Sequence, residues 1–173
     1  MTITEKIKTA FERNAKALSL RPAVGRGTAV TKVRVREGLT CDIEDGPWKI
    51  TADMGEKHGG NNAGPNPGVF GRAAFGSCMA MGYIRWAAKL GVPVSNVEVE
   101  VQADYDARGE YGIPDTPVGY EEVRYVVTIE SSAPEEEIMH VLDQADVHSP
   151  YFEIFKRGVQ KLRREVKILE TEV

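Results

Sequence analysis

Apolar positions in this chain change their spacing several times, and each change marks an element. Ile3, Ile7, Phe11 and Leu18 recur at helical intervals behind Thr2-Ile3-Thr4-Glu5, a stretch with the form of a capping box. They predict a first amphipathic helix that ends near Leu20, before Arg21-Pro22. From Thr28 the period becomes two. Val33 and Val35 alternate with Arg34 and Arg36, and Leu39, Cys41 and Ile43 alternate with Thr40, Asp42 and Glu44. Trp48 and Ile50 follow on the next apolar face. Glu37-Gly38 and Asp45-Gly46 separate these runs, so the segment predicts a three-stranded antiparallel meander.

Residues 53–66 carry Gly55, Gly59, Gly60, Gly64 and Pro65 and read as a loop. Asn66 suits an N-cap, and Pro67 suits the first helical position, where its missing N–H costs nothing. A nearly all-apolar helix is predicted from there to Leu90, stopped by Gly91 ahead of Pro93. Gly71, Gly76 and Gly82 lie inside it, each costing about 1 kcal/mol relative to alanine in a helix interior. Such a cost is tolerated where a second helix or a ligand comes close to the backbone. Cys78 sits in the middle of this stretch.

Period two then returns. Val97, Val99, Val101 and Ala103 form one alternating run, and Val123, Tyr125, Val127 and Ile129 another, with a Gly/Pro-rich excursion at 106–119 between them. Ser132 or Ala133 starts a helix with Pro134 in its first turn and Glu135, Glu136 and Glu137 at the positive end of its dipole. Pro150 interrupts it, a short helical piece runs through Phe155, and Leu162 to Leu169 reads as a closing strand. Antiparallel strands with segregated helices make this an α+β fold.

A chain of 173 residues is long enough for one domain with a sizeable core, and no linker-like run divides it. The formal net charge is -4, with both signs mixed along the chain. That argues against nucleic acid and against an anionic membrane surface as partners. Arg72, Arg85 and Lys89 interrupt the longest apolar stretch, so nothing is expected to span a membrane. The first residues mix Glu5, Lys6, Lys8, Glu12 and Arg13 and resemble neither a secretory signal nor a transit peptide. Two cysteines without framework spacing suit a reducing cytoplasm.

Cys78 is the first candidate for chemistry. A thiolate is the reactive form, and a cation, a metal or a helix N-terminus favours it. Cys78 lies about three turns inside its helix, beyond the reach of the dipole at its start, so a nearby arginine is required. The plainer role for such a residue is a small buried hydrophobe. Cys41 shares the apolar face of its strand with Leu39 and Ile43 and reads as structural. His58, His140 and His148 are scattered without ligand spacing, so neither a metal nor a cofactor is expected. His148-Ser149 without an acidic partner in register makes a poor hydrolase triad.

The stretch from Asp53 through Gly59-Gly60 to Gly64-Pro65-Asn66-Pro67, then Ala73-Ala74-Phe75-Gly76-Ser77-Cys78, resembles the OsmC/Ohr family of osmotically inducible and organic-hydroperoxide-resistance proteins. The family's GG-x-x-x-GP-x-P loop is followed by a small-residue helix ending in GSC, and the succession of elements agrees over nearly the whole chain. One domain over residues 1–173 is then expected, with the helical segment 1–24 as an addition. The resemblance implies an intertwined homodimer, with antiparallel sheets wrapped around central helices and active sites at the dimer interface. It makes Cys78 the peroxidatic cysteine, held as thiolate by an arginine of the first hairpin. Arg26 is the choice for that role, and Arg36 the fallback.

Two positions depart from the peroxidase branches. Gly68 stands where they have a glutamate, and Ser149-Pro150 stand where they have a resolving cysteine and proline. Arg72, lower on the same helix, restores a cation if it shares the face of Cys78. Phe70, Phe75, Met79 and Met81 are expected to surround the thiol with apolar surface, and Ser149 to complete the substrate pocket. The implied activity is reduction of organic hydroperoxides by a single cysteine, with an external thiol resolving the sulfenic acid. The alternative is an OsmC-type protein that binds a small apolar ligand, or senses redox state, without catalysis.

Overall fold

In a computed structural model, the described residues, 1–157, form four helices and two antiparallel sheets. Helix α1 (Ile3–Leu20) begins with the expected capping box, in which Thr2 and Glu5 satisfy each other's backbone N–H groups. A 3-10 turn, Pro22–Gly25, leads to the meander: β1 (Lys32–Glu37), β2 (Thr40–Asp45) and β3 (Trp48–Ala52). Both connections place glycine in the left-handed region, Gly38 at φ 56° and Gly46 at φ 53°. Leu39 belongs to the first turn rather than to the strand, because the ladder shifts register between Val35 and Glu37.

The pairing gathers the meander's apolar side chains on one face. Val33 lies opposite Ile43, which lies opposite Ile50, and Val35 lies opposite Cys41, which lies opposite Ala52. Much of this face is open in the single chain: Val33 is 61% exposed and Trp48 71%.

The central helix, α2 (Pro67–Leu90), has the predicted limits. The Asn66 side chain accepts from the Val69 N–H at 3.2 Å, and Gly91 ends the helix at φ 77°. Its deeply buried face packs on the second sheet, β4 (Val94–Tyr105) and β5 (Tyr120–Ser131), whose inward positions are the predicted alternating ones. Phe75, Met79 and Tyr83 form the core with Ala145, flanked by Val97, Val99, Val101 and Tyr125. The glycines of α2 resolve one by one. A Cβ at Gly76 would come within 3.2 Å of Val101, so the close approach there is to β4 of the same chain. At Gly82 the neighbour is Ala145, and at Gly71 the space is open.

Helix α3 (Glu135–Val147) starts later than predicted, because Pro134 is the cap position rather than a first-turn residue. The short helical piece expected after it is a separate helix, α4 (Pro150–Arg157), which Pro150 opens. The strand expected at Leu162 to Leu169 lies outside the described residues. Helix α1 rests on α2, with the Phe11 ring edge-on to Trp86 at 5.4 Å between centroids. Among the described residues, no helix is long and apolar enough to cross a membrane.

Candidate functional site around Cys78

The loop ahead of α2 is built around one carboxylate. Asp53 is 2% exposed and accepts from Thr40 Oγ1 at 2.9 Å and from the backbone N–H groups of Met54, Asn61 and Ala63 at 2.7, 3.1 and 3.1 Å. Burial alone would raise its pKa. The bonds from Ala63, Thr40, Met54 and Asn61 together outweigh that and hold it below the usual carboxylate range. Gly64 passes so close to Thr51 that no side chain fits. This knot fixes where Asn66 and Pro67 start the helix, and hence the rotation at which Cys78 emerges from it.

At 3.6 residues per turn, Cys78 stands at the seam between two sides of α2. On one side are Phe75, Met79, Gly82 and Trp86, which face the sheet, α3 and α4. On the other are Phe70, Ala74, Ser77 and Met81; Ser77 and Met81 are exposed and the other two half-buried. Cys78 itself is half-buried. Its sulfur lies 3.4 Å from Ser149 Oγ.

Ser149 is 7% exposed and caps α4, its Oγ accepting from the Phe152 N–H at 3.2 Å. Its own N–H donates to the Asp146 carbonyl at 3.2 Å. Asp146 is anchored in turn. Tyr83 on α2 donates to one carboxylate oxygen at 2.8 Å, and Tyr125 on β5 to the other at 3.1 Å. Burial, reinforced by Asp146, raises the Tyr83 pKa, and the same causes push Tyr125 up to about 12. The corner between α3 and α4 is thus tied to the core immediately beside the thiol.

The other predicted residues fall in several places. Met79 is fully buried and Phe75 is 2% exposed, both in the core cluster. Phe75 also borders a cavity of about 440 Å³ with Tyr125, Phe152, Phe155 and Lys156, which does not include Cys78. Phe70 lies on the open side of α2. Arg26 follows the 3-10 turn, its backbone N–H bonded to the Ala23 carbonyl, and is exposed. Arg36 pairs with Asp42 on the meander at 3.2 Å. Arg72 does not share the face of Cys78. It lies about 120° around the helix, where it donates to Tyr120 Oη at 3.3 Å. Its Nη1 would be 3.2 Å from a Cβ at Gly68, so the guanidinium occupies the space beside that residue.

Composition and periodicity hid the Asp53 knot and the two-phenol clamp on Asp146. Asp53 at the mouth of a glycine-rich loop, where backbone N–H groups lack ladder partners, was the available signal for the first. The clamp had no local signal, because its members come from α2, α3 and β5.

A half-buried thiol on a sheet-backed central helix, beside a capping serine, is the reactive group of the site in this α+β fold. Residues 59–161 match the family model described as OsmC-like protein, and the chain belongs to that family. An OsmC-like protein from Mycoplasma pneumoniae superposes with a TM-score of 0.66 at 16% identity, covering 76% of this chain and 89% of that one. The organic hydroperoxide resistance protein OsmC from Legionella pneumophila gives 0.55 at 16% identity, with 76% and 91% covered. OhrB of Bacillus subtilis, an organic hydroperoxide resistance protein, gives 0.50 at 17% identity, with 76% and 92% covered. At these identities the likeness establishes the fold. No curated protein matches the sequence.

Proposed function

We propose that this protein is a one-cysteine thiol peroxidase acting on organic hydroperoxides. The observation that carries the reading is the position of Cys78. It is half-buried at the seam of α2 and hydrogen-bonded to Ser149, which the family resemblance aligns with the resolving cysteine of the peroxidase branches. In the reaction the Cys78 thiolate attacks the distal hydroperoxide oxygen. The O–O bond breaks, the alkoxide leaves and takes a proton as the alcohol, and the sulfur becomes a sulfenic acid. Serine cannot form a disulfide. An external thiol therefore attacks the sulfenic acid, releasing water and leaving a mixed disulfide, and a second thiol equivalent restores Cys78.

The working unit in this reading is a homodimer. The open apolar face of the meander and the open side of α2 are the surfaces a second copy would cover. The hairpin that carries Arg36, and the segment before it that carries Arg26, would then reach the partner's Cys78 and supply the missing cation. Organic hydroperoxides are preferred over hydrogen peroxide because the open side of α2 presents Phe70 and Met81.

The test is peroxide consumption by wild type, Cys78→Ser and Arg26→Ala with monothiol and dithiol reductants. A sulfenic-acid trap is added after one equivalent of cumene hydroperoxide. Loss of turnover and of the trapped adduct in Cys78→Ser supports the reading, and equal rates in wild type and Cys78→Ser end it. A small ligand bound without catalysis would then stand in front, and the cavity that Phe75 and Phe152 share with Glu121, Glu122 and Lys156 offers it a place.

A further inference from the structure

We propose that the Ser149 hydroxyl is the hydrogen-bond donor that holds the Cys78 sulfur in its ionised, nucleophilic form, so that the cap of α4 is also a catalytic residue. The inference rests on the peroxidase reading and names a group that reading does not require. A serine hydroxyl has one hydrogen and two acceptor lone pairs. At Ser149 one of those lone pairs accepts from the Phe152 N–H at 3.2 Å. The hydrogen and the second lone pair remain, and Cys78 Sγ lies within reach of either at 3.4 Å. A neutral thiol could donate in the opposite direction, but a thiolate can only accept.

Two further features suit Ser149 to this role. Ser149 is 7% exposed, so its hydrogen is largely withheld from water, and leaving it unpaired would carry a desolvation cost. Its position is also fixed before any reaction. Pro150 follows at the first helical position, the Ser149 N–H is held by the Asp146 carbonyl, and the Asp146 carboxylate is clamped by Tyr83 and Tyr125. A donor fixed in this way need not reorganise as charge develops on the sulfur. Its partner sits on a different helix, so the contact depends on the α3–α4 corner and not on α2 alone.

Capping and donation are separable by substitution. Aspartate caps a helix as well as serine does, yet its carboxylate has no hydrogen to give and places negative charge against the sulfur. Threonine keeps both functions. The experiment follows alkylation of Cys78 by iodoacetamide in the full chain at neutral pH, resolved from Cys41 by peptide mass spectrometry. Ser149→Ala should slow it about tenfold, the scale of one hydrogen bond to a charged group. Ser149→Asp should slow it at least as much, while Ser149→Thr stays near wild type. Misfolding would expose the thiol and accelerate alkylation, so slowing cannot be mistaken for a loss of structure. Wild-type rates in Ser149→Ala or Ser149→Asp, or a threonine variant as slow as alanine, overturn the proposal. Iodoacetamide needs no peroxide. If cumene hydroperoxide leaves wild-type Cys78 unoxidised, the peroxidase reading falls while the alkylation series still decides the role of Ser149.

Discussion

Tyr83 on α2 donates its phenol to the Asp146 carboxylate on α3 at 2.8 Å, in a core where the tyrosine is 1% exposed. Removing one partner of a buried hydrogen bond costs more than the bond contributes, because the other partner is left in a dry site. Tyr83→Phe should lower stability by about 1–3 kcal/mol in urea unfolding at neutral pH. Tyr125→Phe should cost less, since its ring is less buried and its bond longer, at 3.1 Å. The two phenols also give the protein an alkaline limit. Both pKa values are raised on folding, that of Tyr125 to about 12. Their contribution is complete below the unfolded value of about 10 and is lost as pH rises through the folded values. Urea midpoints at successive alkaline pH should fall in wild type and change less in the double phenylalanine variant.

Asp53 sets the corresponding acid limit. It binds its proton more weakly in the folded chain than in the unfolded one, so the unfolded state takes up protons first as pH falls. The contribution is complete above the unfolded value of about 4 and is lost as pH falls through the lower folded value. Asp53→Asn should be less stable than wild type at neutral pH and should lose less on acidification. Asp104 and Asp106, held down by Arg124 and Arg108, act in the same direction and stay in place in the variant. Equal acid slopes in wild type and Asp53→Asn would show that the knot does not titrate.

What the sequence reveals depends on how local the physics is. The limits of α2 were legible because Asn66, Pro67 and Gly91 each act on their own turn of helix. The meander was legible because alternation and the two glycine turns are local too. The start of α3 was displaced because Pro134 fits both a first turn and a cap, and the chain around it decides between them. Gly76 announced a close approach, but only the packed structure shows that the neighbour is β4. At the site, Cys78 and Ser149 are 71 positions apart. Their contact was suggested by family resemblance and by nothing in the spacing. The rotation of Arg72 away from Cys78 follows from counting residues around the helix.

The apolar face of the meander predicts association. Val33, Val35, Trp48 and Ile50 are exposed in the single chain, and their strands share few contacts with the core helices. Sedimentation at low micromolar concentration should show a species of twice the 19.1 kDa chain mass. An interface of this kind buries roughly 1,000 Å² or more in total. Ile50→Glu should weaken it by placing an unpaired charge in the contact, and should reduce any peroxidase activity in proportion to the dimer lost. A monomeric wild type would remove both the interface and the sharing of an arginine across it.

The 3.4 Å separation between Cys78 Sγ and Ser149 Oγ predicts what happens to an oxidised thiol. In wild type, no group in that contact can capture a sulfenic acid. Excess cumene hydroperoxide without added thiol should therefore carry Cys78 on to the sulfinic acid, seen as a gain of two oxygens on its peptide. Ser149→Cys should change the product. A sulfur at that position needs to move little more than about 1 Å to reach the disulfide length of about 2.05 Å. Its thiolate would attack the sulfenic acid, releasing water and linking residues 78 and 149. Non-reducing peptide mapping should then show that bridge in place of the sulfinic acid, and turnover should become efficient with dithiols. Cys41 should stay reduced in both proteins, because the ladder holds it between Val35 and Ala52 on the apolar face of the meander. A Cys41–Cys78 disulfide in wild type would overturn this and assign the resolving role to Cys41.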